Sequence, residues 1–336
     1  MALGVEATEA SSKGDQARVF EIVNALADRR NRRLRDGGYG SVEDVVQERE
    51  AWKEHFEQVS KGRGSVNERV WENVTSNEVA HWLDVEPSIV EMEMALGQMK
   101  LRKAAGKDGV TVEVLKYGGE ELKKRVFEVV QAMWRRAACA EEGHEAEDWP
   151  EEWKIGVTVP LWKKKGSRKD KNTWRGITLL SVGSKLLARV AARRAQQWSE
   201  GWLSEQQCGF RKGRGVDDCL TVSRRISEEV NRAVSSEWVA MSFFDIEKAY
   251  PRVCKDGLWK LLRRRGCPEG FLGVCRALHE HTKYVVKMYK GESSAFLPER
   301  GLREGCPTSP PLFNIYHDGV MEDFRPRRAA EARKRK

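Results

Sequence analysis

In Val239-Ala-Met-Ser-Phe-Phe-Asp-Ile-Glu-Lys-Ala-Tyr-Pro-Arg-Val253 an apolar run containing Phe243 and Phe244 delivers a single carboxylate, Asp245. An aromatic ring, Tyr250, follows five residues later. The run reads as a buried strand, and a lone charge at the end of such a strand is costly unless it has a partner. One partner is a divalent metal ion, because hard cations take carboxylate oxygens. The other is the set of free amides at the start of the next helix, which an Asp commonly caps. The spacing alone leaves both readings open.

Other segments pair cations with glycines. Lys100-Leu-Arg-Lys-Ala-Ala-Gly-Lys-Asp-Gly-Val110 is a basic helix end running into a turn, where backbone amides and lysines suit a phosphate, although a plain helix–loop junction reads the same way. Trp162-Lys-Lys-Lys-Gly-Ser-Arg-Lys-Asp-Lys-Asn-Thr-Trp174 is a basic hairpin tip between tryptophans, either a clamp on phosphates or a solvated turn. Gly209-Phe-Arg-Lys-Gly-Arg-Gly215 combines amides and guanidinium groups ahead of a helix. Gly301-Leu-Arg-Glu-Gly-Cys-Pro-Thr-Ser-Pro-Pro-Leu-Phe-Asn-Ile-Tyr316 is a Gly/Pro loop that enters an apolar helix, with Ser309 as N-cap and Pro310 at the first helical position.

These segments need elements to hold them. Alternating Trp149, Trp153, Ile155, Val157, Val159 and Leu161 predict a strand, and Arg175 to Leu180 its return. Helical spacing predicts helices over 15–34, 41–60, 86–101, 119–138, 184–198, 216–234, 255–265 and 269–281. Tyr284 to Tyr289 and Ser294 to Leu297 read as a strand pair across Gly291. The acidic stretch 141–148 reads as a surface insertion and 61–65 as a linker. Residues 1–80 read as a helical N-terminal region, partly disordered and outside the main domain, and 325–336 as a basic tail.

Composition bounds the partners. The chain has 336 residues with 60 Lys and Arg against 51 Asp and Glu, a net charge of +9. That excess suits a polyanion without demanding one. No apolar run is long enough to span a membrane, so no membrane partner is expected. The 7 cysteines form no C-x-x-C pair, which favours an intracellular, reducing setting, cytoplasmic or nuclear. Cys267, Cys275, His279 and His281 cluster in sequence but lack zinc-site spacing, so core thiols are the better reading.

Five segments in this order, 103–116, 153–190, 203–218, 243–253 and 301–316, carry the Gly-Phe-Arg and Ser-Pro-x-Leu-Phe signatures. Together, over roughly 90–324, the sequence resembles the reverse transcriptase of non-LTR (LINE-like) retrotransposons, with a group II intron maturase as the alternative. The resemblance implies an α+β fold: right-hand polymerase fingers over 81–235 and a partial palm over 236–324, an antiparallel sheet with packed helices. It implies RNA-directed DNA synthesis with Mg²⁺ on an RNA template, a DNA primer and a dNTP. It gives Asp245 the catalytic metal with the Ile246 carbonyl, Lys163 and Arg175 the triphosphate, and Tyr250 the exclusion of a 2′-hydroxyl. Glu304 and Gly305 would lie at the nascent pair, and Lys103, Lys107, Arg211, Lys212 and Arg214 along the nucleic acid.

Three departures qualify it. Glu304 stands where the family usually has Gln, and Pro251 where many members have an acid. The family's Tyr-x-Asp-Asp hairpin and thumb have no counterpart; Tyr316-His-Asp-Gly319 falls inside a helix, where Asp318 reads as a surface or capping residue. A two-ion site needs several carboxylates to hold ions about 3.5–4 Å apart. The expectation is therefore an incomplete or inactive reverse-transcriptase-like domain, or an RNA-binding remnant of one.

Overall fold

The computed structural model describes residues 42–62, 74–232, 240–288 and 291–324. The helix expected over 15–34 and the basic tail lie outside the described residues. The chain divides into two compact units, 1–51 and 52–336. Of the first, only the opening of helix α1 (Val42–Ser60) is described. The fold below is that of the second unit.

Its sheet has four strands in the order β2-β1-β3-β4: β1 (Ile155–Trp162), β2 (Trp174–Leu179), β3 (Lys283–Met288) and β4 (Gly291–Glu292). The alternation that predicted a hairpin is borne out, with Leu161 opposite Arg175 and Trp162 opposite Trp174 in antiparallel register. The expected strand 294–297 is reduced to a bridge, Tyr284 to Phe296. The sheet is not antiparallel throughout, because β1 and β3 run parallel. A parallel neighbour needs a long crossover, and here, among the described residues, four helices separate β2 from β3. The result is an α+β fold with a small mixed sheet and many helices.

The helices are α2 (Ile89–Gly97), α3 (Val112–Tyr117), α4 (Glu120–Cys139), α5 (Val182–Glu200), α6 (Val216–Arg232), α7 (Lys255–Arg264), α8 (Glu269–His279) and α9 (Ser309–Phe324). Helix α2 begins at a capping box in which Ser88 and Glu91 satisfy each other's backbone amides. Helix α8 is buried from Gly270 to His279, its polar Arg276 and His279 included. Leu186, Leu187, Leu258, Leu261 and Leu262 close around the same core. Full burial of each such side chain is worth about 1.5–3 kcal/mol.

Several expectations are corrected. Trp52 of α1 is buried in a small cluster with Val286 and Phe296, and its ring meets Trp174 at 5.4 Å. Residues 52–60 thus pack on the sheet instead of lying outside the main domain. The acidic loop is not a surface insertion throughout: Glu145 is buried, with Arg276 Nε at 3.1 Å and His281 Nε2 at 3.0 Å. Asp318 is not on the surface. It accepts from the Ser204 amide at 3.1 Å and pairs with Arg265 at 3.3 Å, all within the protein. The run 240–246 forms no strand. Among the described residues no strand lies beside it, so its backbone groups have no ladder to join, and Phe243 and Phe244 are 84% and 92% exposed. Helix α6 forms as expected, yet none of its residues is buried, and Val216, Leu220, Val222 and Ile226 face solvent.

Candidate active site

The site is assembled from the β1–β2 hairpin, the loop 301–308 and the turn after Asp245. The hairpin tip is tightly built. Asp170 accepts from the Asn172 amide at 2.9 Å, Thr173 Oγ1 donates to the carbonyls of Ser167 and Asp170, and Arg168 lies over the Trp162 ring at 4.6 Å. These contacts fix Lys163, whose Nζ donates to the Asn172 carbonyl at 2.9 Å. Lys248, three residues past Asp245, donates to Asn172 Oδ1 at 2.9 Å. Burial, joined by Lys248 and Lys171, lowers the pKa of His55 to about 4, so this imidazole is neutral at physiological pH.

The loop 301–308 is stitched to both sides. The Thr178 amide of β2 donates to the Glu304 carbonyl at 2.7 Å. Gly301 and Leu302 donate to the carbonyls of Val253 and Tyr250 at 2.9 and 2.8 Å. Gly305 has φ +114, and a Cβ there would lie 2.4 Å from the Thr178 carbonyl oxygen, so only glycine fits. Beneath the loop, His279 Nε2 and Thr308 Oγ1 are 2.8 Å apart. Ser309, expected as an N-cap, instead donates its hydroxyl to the Arg303 carbonyl at 2.6 Å.

This stitching brings Lys163, Arg175, Tyr250, Glu304 and Gly305 together. Burial raises the Glu304 pKa, and the charges of Arg175 and Lys163 oppose that rise. Burial and the Glu304 charge push the Tyr250 hydroxyl up to about 12, so it stays protonated. Tyr250 stands in an aromatic row, 6.3 Å from Phe210 and 5.3 Å from Phe313. An exposed Arg175 and a half-buried Lys163 beside a half-buried carboxyl, with glycine backbone and an aromatic edge, can receive a phosphate chain and its sugar.

Asp245 and Ile246 lie in the exposed segment ahead of this cluster. Together they offer one carboxylate and one carbonyl. Among the described residues no group of three potential metal ligands includes Asp245. The donor set does not fit a two-ion centre. The group that does come together, Glu145, Glu280 and His281, already holds the Arg276 guanidinium, 3.1 Å from Glu145 and 2.9 Å from Glu280. Cys267 and Cys275 are core thiols whose pKa values burial raises.

The remaining nucleic-acid candidates divide. Arg211 is buried and fully engaged, with Glu200 at 2.7 Å and the carbonyls of Ser204 and Gln207 at 2.8 and 3.1 Å, so it braces its loop and does not face a phosphate. Arg214 pairs with Glu205, and Lys107 with Glu292. Lys103 and Lys212 are exposed. Sequence reasoning missed Lys248 and Asn172. Their bond depends on a long-range approach of two loops, which no local pattern signals.

Residues 162–332 match the model of the family described as "Reverse transcriptase (RNA-dependent DNA polymerase)". The chain is 28% identical over 179 residues to a probable RNA-directed DNA polymerase from transposon X-element of Drosophila melanogaster, covering 52% of this chain and 19% of that protein. It is 23% identical over 250 residues to the transposon TX1 uncharacterized 149 kDa protein of Xenopus laevis, covering 74% and 18%. Over 234 residues it is 23% identical to the Pol polyprotein from the type-2 retrotransposable element R2DM of Drosophila melanogaster, covering 70% and 20%. The chain spans about a fifth of the length of these relatives. It belongs to the reverse transcriptase (RNA-dependent DNA polymerase) family, as a domain of the non-LTR, LINE-like retrotransposon kind.

Proposed function

We propose that this chain supplies the nucleotide and template side of an RNA-directed DNA polymerase: fingers over 81–235 and the first part of a palm over 236–324. The observation that carries the reading is the Thr178–Glu304 joint, which sets Arg175 and Lys163 of the hairpin against Glu304, Gly305 and Tyr250. Lys163 and Arg175 receive the triphosphate of a dNTP. Tyr250 lies under the sugar, where its ring excludes a 2′-hydroxyl. Gly305, with no side chain, lets the loop backbone approach the nascent base pair. Phosphoryl transfer asks the protein mainly for charge neutralisation and in-line positioning.

Reverse transcriptases work with divalent ions, and Mg²⁺ is the ion proposed here. Asp245 and the Ile246 carbonyl suit one such ion. Two ions need further carboxylates, so this chain alone does not polymerise. Incubation with poly(rA)/oligo(dT), dTTP and Mg²⁺ tests that directly. No extension is expected, while dTTP still binds the chain and loses affinity on Arg175→Gln. Template-dependent extension that vanishes in Asp245→Ala would overturn the reading.

A binding role without catalysis is the second reading. It is favoured by the exposed Asp245, which among the described residues joins no group of ligands, and by the cross-tied cationic hairpin. Under it the chain binds RNA with a steep salt dependence and shows no affinity for dTTP.

A further inference from the structure

Helix α5 carries Lys185, Arg189 and Arg193 at intervals of four residues. That spacing places them on one face, about 6 Å apart along the axis. The helix is otherwise mostly buried, and these three are only half-buried. The face is bordered by the loop 100–110. A Cβ on Gly106 would lie 2.3 Å from Ser181 N, so that loop sits directly on the head of α5 and sets Lys103 beside Lys185. Arg189 reaches only the neutral Gln98 Oε1, at 3.5 Å, and its Nε is buried without a partner. Among the described residues the Arg193 guanidinium donates only to the Met94 sulfur, at 3.0 Å. Among the described residues none of the four cations forms an ion pair.

The surface of α4 differs. On α4, Arg125, Arg135 and Arg136 each pair with an acid. The one-residue neighbour Arg194 is buried and held by Glu91 at 2.7 Å. Cations gathered on a half-buried face without acids repel one another and are costly to desolvate. Burial, then Arg189 and Lys103, lower the Lys185 pKa accordingly. An anion on the face removes that cost. The face also adjoins the candidate site, since α5 begins at Val182, three residues past β2, whose Thr178 amide is bound to the Glu304 carbonyl.

We propose that Lys185, Arg189 and Arg193, with Lys103 alongside, form a track for the phosphodiester backbone of single-stranded RNA leading away from the Gly305 loop. The inference rests on the polymerase reading and extends it to the template. The side chains contact phosphates only, so the track is indifferent to base sequence.

The test measures binding of a short fluorescein-labelled single-stranded RNA across a KCl series. The proteins are the unmodified chain, the triple variant K185Q/R189Q/R193Q and a control, R125Q/R135Q/R136Q, that removes equal charge from α4. The α5 variant is expected to bind about tenfold more weakly, with a salt slope shallower by about 2, near 0.7 per lost phosphate contact. The α4 control should stay within about twofold of the unmodified chain. If the α5 triple variant fails to fold by its thermal melt, K185Q and R193Q singly should each flatten the slope by about 0.7. Equal slopes for the unmodified chain and the α5 variant overturn the track and leave the polymerase reading standing. Equal losses for both triple variants also overturn it, because net charge alone then accounts for binding. A flat slope for the unmodified chain overturns the track and the polymerase reading together.

Discussion

The hairpin with its partner loop and the segment around Asp245 are built to different standards. On the first side every turn is cross-tied: Asp170 to Asn172, Thr173 to Ser167, Thr178 to Glu304, Leu302 to Tyr250. On the other side Met241, Phe243, Phe244 and Ile246 face solvent, and α6 presents apolar residues that no described residue buries. The parts proposed to handle a nucleotide are preformed, whereas the part that would hold metal is not assembled from the described residues. A strand is stable only beside another strand, so a sequence ideal for a sheet centre stays open when no neighbour pairs with it.

The comparison can be broken from either side. The largest effect is expected at the joint. Gly305→Val forces a β-branched residue into φ +114 and against the Thr178 carbonyl. We expect the melting temperature to fall by an amount corresponding to about 2 kcal/mol or more, with loss of dTTP binding; an unchanged melt would show that the joint does not organise the loop. In the buried ion pair, Asp318→Ala leaves Arg265 without one of its acids and is expected to cost about 3–5 kcal/mol in a denaturant titration.

In contrast, Phe243→Ser with Phe244→Ser should change stability by less than about 0.5 kcal/mol, as for exposed positions. Those substitutions should lessen self-association in sedimentation, since exposed phenylalanines invite it. A loss of several kcal/mol would mean that both rings are buried in solution.

The smallest effect sharpens the electrostatics of the preformed side. Glu304→Gln removes an anion beside the proposed triphosphate site and should tighten dTTP about fivefold, near 1 kcal/mol. Because burial raises the Glu304 pKa, its ionised form costs stability at neutral pH, and that cost disappears as pH falls through the raised value. The affinity gap between the parent and E304Q should therefore close on acidification. A gap independent of pH would place the Glu304 charge away from the ligand.

What the sequence disclosed follows the range of the interactions involved. The hairpin was legible because alternation and turn residues are local, and so was α2 through its capping box. The parallel pairing of β1 with β3 was not, since it joins segments more than a hundred residues apart. Nor was burial of single charges. Arg193 and Arg194 are adjacent and identical in type, yet one is half-buried and the other holds Glu91 in the core. Asp318 looked like a surface residue because its partners, Arg265 and the Ser204 amide, are distant in the chain. Arg211 looked like a phosphate contact for the same reason, with Glu200 its true partner. At Asp245 the strand expected around it does not form, because among the described residues no neighbour pairs with it.

Amide hydrogen exchange followed by mass spectrometry tests the contrast most directly. The account predicts slow exchange over 157–162 and 174–179, where β1 and β2 pair, and exchange near the rate of an unfolded chain over 240–246. Protection of 240–246 equal to that of the hairpin would contradict it, because the Asp245 segment would then already be held in a sheet.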